Sequence, residues 1–390
     1  MSERKKIAAI ITEYRVAAHA DVIVGKFIKG FPTDEGMLEP QVDIASMYLD
    51  QIPENDIGVA LAKAHNIPIY HSIPKALCLG GSELAVDGVL SIGEHGDYAF
   101  NERDQHLYPR HFFFEQICGV IATAGRAIPV FNDKHLCYSW ENAKWMYDRA
   151  QELHIPFMAG SSVPLFWRHP WLEHETDSRI EEALVLSYGG LEAYGYHGFE
   201  ALQAMVERRE GGEGGIVAVQ CLEGDAVWQA GDEGRWSREL AEAAAAVGDT
   251  AEGNMEELCA EPAVFLIEYA NGLRASVLHL NGYVREWSYA ARVDGKIEAT
   301  GFHAHGPPYP HFSYLSLNIQ EMFITGEPQY PVERTLLVTG ALDALMDSRH
   351  QGHVRLETPH LNIKYSPPDV PPIRSTHSEP VGASLVPFGS

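Results

Sequence analysis

The sequence predicts an α/β protein in two parts: a doubly wound parallel sheet, then an α/β domain on an open, mainly antiparallel sheet. Three observations predict it. The 390 residues exceed what one ordinary core holds and call for two domains. Up to about residue 165, short apolar runs alternate with helical ones, the order of a parallel sheet with crossover helices. Beyond it, strand-like runs follow one another directly, which favours antiparallel pairing. The domains are placed at 1–165 and 166–365, with a Pro/Ser-rich tail over 366–390.

The first strand, Lys6 to Ile11, leads through Thr12-Glu13-Tyr14-Arg15-Val16-Ala17-Ala18 to a helix from His19 to Lys29. Strand Val42 to Leu49 ends at Asp50, helix Ile57 to His65 follows, and Ile67 to Tyr70 reads as a short strand. Strand Val86 to Ile92 ends in Gly93-Glu94-His95-Gly96-Asp97 and precedes the helix Phe112 to Ala124. Strand Ile128 to Phe131 ends in Asn132-Asp133-Lys134-His135, helix Trp140 to His154 follows, and strand Pro156 to Ala159 ends in Gly160-Ser161-Ser162. In such sheets ligands lie beyond the carboxyl ends of the strands, so Glu13, Asp50, Glu94, His95, Asp133, Lys134 and His135 are the first candidates.

In the second part, Tyr196 to Arg209 reads as a helix. Ile216 to Cys221, Ala263 to Tyr269, Arg274 to Asn281 and Trp287 to Val293 read as strands, with an Asn271-Gly272 hairpin turn. Leu315 to Thr325 and Val332 to Ser348 read as closing helices, and the tail from Ser366 as an arm or a disordered segment.

With 54 acidic against 29 basic residues, a net charge of −25 disfavours nucleic acid and anionic membranes as partners. No apolar stretch suits a signal peptide or a membrane span. The five cysteines form no Cys-x-x-Cys pair and read as reduced thiols of a cytoplasmic protein.

The run Ile128-Pro129-Val130-Phe131-Asn132-Asp133-Lys134-His135, then Ser139-Trp140-Glu141-Asn142-Ala143-Lys144 and Ile155-Pro156-Phe157-Met158-Ala159-Gly160, resembles the Gfo/Idh/MocA family of oxidoreductases. So do Gly195-Tyr196-His197-Gly198-Phe199-Glu200 and the closing segment Leu336 to Leu356 with Glu357-Thr358-Pro359. The resemblance implies a Rossmann-like first domain, NAD or NADP as cofactor, and a sugar, polyol or related polyhydroxylated substrate. It places Lys134 on the family's catalytic lysine and His197 on its catalytic histidine. Thr12, Glu13, Asp50, Glu94 and His95 fall where the cofactor would bind. Self-association through an uncovered face of the second sheet is the matching family-level expectation.

Three departures stand out. The first strand is followed by no glycine turn, the device that lets backbone N–H groups approach a pyrophosphate. His135 replaces the proline and Asp133 the glutamate of the family's Glu-Lys-Pro. Ala193, with Glu192 beside it, stands where an aspartate precedes the histidine.

Two other readings compete with NAD(P)-linked oxidoreduction. One is a metal-dependent lyase, isomerase or hydrolase, with Glu94, His95, Asp133, His135 and His197 around Zn²⁺, Mn²⁺ or Fe²⁺, and with His19 and Glu13 near the same strand ends. The other is a ligand-binding protein that has lost catalysis. Arg168, His169, Tyr194 and Tyr196 are substrate-lining candidates, with Phe166 and Trp167 as supporting aromatics. His303, His305 and His311 form a second histidine group in a Gly-Pro-Pro loop, read as a loop feature or a metal site.

Overall fold

A computed structural model describes residues 4–368 and 372–386. In the first half, chain order is β1 (Lys5–Ile11), α1 (His19–Lys29), a small hairpin β2 (Phe31–Thr33) and β3 (Gly36–Leu38), β4 (Val42–Leu49), α2 (Gly58–Ala64), α3 (Ile73–Leu77), β5 (Gly88–Ile92), α4 (Arg110–Ala124), β6 (Val130–Asp133), α5 (Trp140–Glu152) and β7 (Phe157–Gly160). Strands β4-β1-β5-β6-β7 lie side by side in that order, all parallel. Ile67 to Tyr70, expected as a strand, supplies a single bridge from Ile69 to Met47. Both faces of this sheet are covered, so the inner strands read as short apolar runs (Ile7 to Ile11 of β1, Val89 and Leu90 of β5, Val130 and Phe131 of β6), while the edge strand β4 alternates, with Asp43 exposed. One face carries α1 and the other α3, α4 and α5.

The second half runs β8 (Trp167–His169), β9 (Ile180–Ser187), α6 (Ala193–Val206), β10 (Ile216–Glu223), α7 (Asp225–Asp232), α8 (Arg238–Val247), α9 (Met255–Leu258), β11 (Ala263–Tyr269), β12 (Arg274–His279), β13 (Ser288–Val293), β14 (Lys296–His303), α10 (Pro310–Thr325), α11 (Val332–His350) and β15 (Leu356–Glu357). Its sheet has eight strands in the order β15-β10-β11-β12-β9-β13-β14-β8. Pairing is antiparallel except between β12 and β9. Helices α6 and α11 pack on the inner face.

The outer face is not bare. Val227, Trp236, Leu240, Ala241 and Ala244 of the α7–α8 segment cover Leu184, Leu186, Leu222, Leu266 and Leu278. The uncovered apolar face that suggested self-association is thus filled from within the chain.

Helix α10 returns to the first sheet, where Leu315, Ile319, Met322 and Phe323 join its core. Helix α11 bridges both halves, with Leu336 in the first core and Leu337, Ala341 and Leu345 in the second. The tail folds back as an arm. The Asp34 carboxylate accepts from Ser375 Oγ, from the Val381 amide at 3.0 Å and from Trp167 Nε1 at 3.1 Å. All five cysteines are free and buried, and no helix among the described residues is long and apolar enough to cross a membrane.

Candidate active site

Strands β5 and β6 are neighbours, so the residues beyond their ends meet. Lys134 follows β6 in a left-handed backbone conformation (φ 62°), and His95 follows β5 in the same region (φ 69°). Lysine is not a residue type that favours it, whereas histidine is among those found there more often, and such strain gathers at functional sites. Lys134 Nζ donates to Glu94 Oε1 at 2.9 Å, while Arg110 at the start of α4 donates to the other oxygen. Burial alone would raise the Glu94 carboxyl, but Lys134 and Arg110 hold it well below the usual range. Next to them, His135 Nε2 lies 3.0 Å from Arg110 Nη1 and 2.9 Å from Glu192 Oε1. Burial, then Arg110, lowers the His135 pKa.

Two imidazoles flank this charged group. His19, the first residue of α1, holds Asp133 Oδ2 through Nδ1 at 2.6 Å, and the Asp133 side chain is fully buried. His197, on α6 of the other domain, holds Ser161 Oγ through Nδ1 at 3.1 Å. The Ser161 hydroxyl donates in turn to Glu200, which also accepts from the Ser161 amide at 3.0 Å and from Tyr196 at 3.1 Å. Burial raises the Glu200 carboxyl. Burial, then the charges of Lys134 and His19, holds His197 well below its usual pKa, so it is a neutral imidazole at neutral pH. His95, edge to face with His19 at 5.2 Å, is pushed down to about 3 by burial and the His19 charge.

Aromatic rings run from one imidazole to the other. Phe312 touches His19 at 5.4 Å, His311 touches Phe312 at 4.7 Å, Phe166 touches His311 at 4.5 Å, and Trp287 stands 6.1 Å from Phe166 and 5.5 Å from His197. Tyr194, exposed, stacks on Trp287 at 5.8 Å and 19°. An apolar wall with a few fixed polar groups suits a sugar or polyol ring. Lys134 is buried at 3% exposure, while His19 and His197 are half-buried.

The structure thus brings Lys134, His197, Glu94, His95, Asp133 and His135 together, with Tyr194 at the rim. Sequence reading missed Arg110, Ser161, Glu200, Trp287 and Phe312, since nothing local marks them, whereas His19 was marked by its place after the first strand. Other expectations need correction. Tyr196 is fully buried in the second core on Glu200, and so cannot line a substrate. Arg168 is buried and bound to Glu173 and to the carbonyls of Leu172 and Pro164. His169 is exposed on the edge strand β8. Trp167 packs into the first core. His303 pairs with Glu286 at 2.8 Å, His305 lies against Trp167, and His311 serves the aromatic wall. The metal reading loses its support: no group of three or more His, Cys, Asp or Glu side chains among the described residues could hold an ion. Arg110 and Lys134 already neutralise Glu94, and His135 faces Arg110.

At the end of β1 the chain is laced to both neighbours. The Thr12 hydroxyl donates to the Glu94 carbonyl at 2.7 Å, and the Gln51 amide donates to the Thr12 carbonyl at 2.8 Å. Beyond that, Gln51 Nε2 donates to the Asp97 carbonyl at 3.0 Å and Gln51 Oε1 accepts from the Asp97 amide at 2.8 Å. Asp50 accepts from the hydroxyls of Tyr48 at 2.6 Å and Tyr98 at 2.7 Å. Glu13 is held by Arg15 at 2.6 Å. Tyr14 is fully buried, its ring against Gly58 at the start of α2.

No family model matches the chain, and neither does any curated protein sequence. Solved structures do. GenD2 from gentamicin A biosynthesis, crystallised with NAD, is 16% identical, with 92% of this chain and 97% of that one covered and a TM-score of 0.57. Scyllo-inositol dehydrogenase from Lactobacillus casei is 11% identical over 92% of this chain and 99% of its own, at 0.57. The UDP-N-acetylglucosamine 3-dehydrogenase GnnA from Acidithiobacillus ferrooxidans is 12% identical over 89% and 98%, at 0.51. The chain has the Gfo/Idh/MocA fold.

In a Gfo/Idh/MocA fold a dinucleotide would lie across the carboxyl ends of β4, β1 and β5, opening at the switch point between β1 and β5. The residues here do not fit one. The turn after β1 has no glycine and carries a carboxylate, Glu13. The switch point is stitched by Thr12 to Glu94. Asp50, the candidate for a ribose, is occupied by two tyrosines, and the Gln51–Asp97 pair joins the loops after β4 and β5 across the end of β1.

Proposed function

We propose that this protein is an enzyme acting on a sugar, polyol or similar polyhydroxylated molecule at the cleft between its domains. The observation that carries the reading is the meeting of an ammonium and a neutral imidazole, Lys134 and His197, one from each domain, beside an aromatic wall. Lys134 would donate a hydrogen bond to a substrate hydroxyl or carbonyl oxygen and stabilise negative charge there. His197 would take or return a proton, with Ser161 and Glu200 fixing its ring. Tyr194, exposed at the rim and backed by the buried Trp287, would stack on the ring of the substrate.

Two of the neighbours named above are dehydrogenases and the third was crystallised with NAD, which supports an enzyme of the oxidoreductase type with NAD or NADP as the partner. The closed crevice over β4, β1 and β5 favours a second reading, in which the same lysine and histidine work on the substrate with no dinucleotide in its usual place. In that second reading the chemistry requires no hydride acceptor.

One set of titrations decides between them. The full chain is titrated with NAD(H) and NADP(H) by nicotinamide fluorescence, and with sugars and polyols by thermal shift. We expect stabilisation by a polyhydroxylated compound that Lys134→Met abolishes, and no response to millimolar dinucleotide. Saturable dinucleotide binding restores NAD(P)-linked oxidoreduction. No stabilisation by any sugar or polyol removes the proposal.

A further inference from the structure

The cleft holds a second imidazole in the same state of readiness as His197. His19 Nδ1 lies 2.6 Å from Asp133 Oδ2, and a buried carboxylate at that distance accepts a proton from Nδ1. His197 Nδ1 lies 3.1 Å from Ser161 Oγ, whose own hydrogen is given to Glu200, so Nδ1 of His197 also carries the proton. In both rings the partner fixes Nδ1 as a donor, directly or through a hydroxyl, and leaves Nε2 as the atom that can take or give a proton. Neither Nε2 has a hydrogen-bond partner among the described residues. His19 belongs to the first domain and His197 to the second, with Lys134 beside Asp133 and the aromatic rings joining them around one side. The other Asp133 oxygen is buried without a partner, as is Nδ1 of the adjacent His95, so polar groups there await a ligand or water.

We propose that His19, backed by Asp133, is a second acid–base residue, and that the enzyme moves a proton at a carbon next to a carbonyl of a sugar, inosose or sugar acid without any redox cofactor. This rests on the reading of Lys134 and His197 above. One imidazole removes the proton from the carbon. The C–H electron pair becomes the C=C bond of an enolate, and the carbonyl pair moves to the oxygen, which Lys134 holds. The opposite imidazole, which enters the cycle carrying a proton on Nε2 as well as on Nδ1, returns that proton to the same carbon from the other side as the carbonyl reforms, and the two rings exchange roles for the reverse reaction. The product is the epimer, the substrate loses no electrons, and nothing needs to occupy the seat closed by Gln51, Asp97 and Tyr98.

The test uses the full chain in D₂O with D-fructose, D-glucuronate and 2-keto-myo-inositol, each without added nicotinamide cofactor, followed by proton NMR. We expect loss of one C–H signal together with the appearance of an epimer. His19→Gln and His197→Gln should each slow epimer formation at least a hundredfold. Each should still wash deuterium into the isomer whose C–H faces the remaining imidazole, a pattern that a merely structural role for His19 would not give. Full turnover in His19→Gln overturns the inference, as does exchange that requires added NAD(P). Thermal stabilisation by one of these compounds with no exchange overturns it while leaving the reading of Lys134 and His197 intact. Absence of stabilisation by all of them removes both.

Discussion

Glu94 is the residue on which the buried charge cluster depends. Its side chain is 7% exposed and serves two cations, Lys134 at 3% and Arg110 at 0%. Truncation to alanine would leave two buried cations without their direct partner, with Glu192 the remaining acidic group near both. Breaking one buried pair costs about 3–5 kcal/mol. With two partners lost, we place Glu94→Ala at the upper end, about 5 kcal/mol, and Glu94→Gln, which keeps an acceptor oxygen, at about 3 kcal/mol. For a domain of this size that is roughly 10–20 °C in Tm for the alanine variant. The assay is urea unfolding at fixed pH, followed by far-ultraviolet circular dichroism.

The pH dependence gives a second, independent readout. The Glu94 carboxyl is held well below 4.5 in the folded chain, so its contribution is complete above the unfolded value near 4.5. It is lost as pH falls toward the folded value. The gap between wild type and Glu94→Gln should therefore narrow from pH 5 downward, and stay constant from pH 6 to 8 if no neighbouring group titrates there. A loss below about 1 kcal/mol for Glu94→Ala, the size of an ordinary surface pair, would refute the picture of a buried, mutually dependent cluster.

Three further outcomes follow from local geometry. Gly58→Ala would put a Cβ 2.6 Å from Cβ of the buried Tyr14, and we expect about 1–3 kcal/mol of destabilisation in a thermal melt. Glu200→Gln removes a carboxyl whose pKa burial has raised. The folded state binds that proton more tightly, so wild-type stability falls relative to Glu200→Gln as pH rises through and above 4.5, measurable by urea unfolding at pH 4 and 7. Ending the chain at residue 366 strips Ser375 and Val381 from the Asp34 carboxylate. We expect a loss of about 1–3 kcal/mol, with a shift in the fluorescence of Trp167, which shares that carboxylate.

The first sheet was legible because most of its strands carry a short apolar run followed by a helical pattern. Residues 67–70 show the limit: Ile67 and Ile69 look like strand residues, but only Ile69 reaches Met47 at the sheet edge. The second domain was less legible. Strand β9 begins Ile-Glu-Glu, and β14 reads Lys-Ile-Glu-Ala-Thr-Gly-Phe-His, so neither shows a long apolar run. The alanine-rich α8 carries Glu239 and Glu242 among its small residues and shows no long apolar run, yet Leu240, Ala241 and Ala244 cover the outer sheet face. In the site, residues at strand ends could be named because topology alone gathers them. Arg110, Ser161 and Glu200 could not, because their roles arise from contacts across 16 to 39 residues of sequence that no local pattern encodes.

The absent glycine turn and the His19–Asp133 pair are two sides of one arrangement. Because the sheet order is β4-β1-β5, any bond from the loop after β4 to the loop after β5 must pass over the end of β1. Gln51–Asp97 and Asp50–Tyr98 are such bonds, and once they form, glycine after β1 has no pyrophosphate to admit. The turn can then carry Tyr14, which packs on Gly58 instead of leaving the crevice open. Asp133, on β6 beyond the strapped region, stays at the cleft and holds the His19 ring there. Releasing the strap should not recover a dinucleotide site by itself. A Gln51→Ala/Tyr98→Phe variant still presents Glu13, Tyr14 and the Thr12–Glu94 bond, so we expect it to remain without nicotinamide fluorescence enhancement. Enhancement in that variant would mean that the strap alone, and not the turn beneath it, keeps the cofactor out.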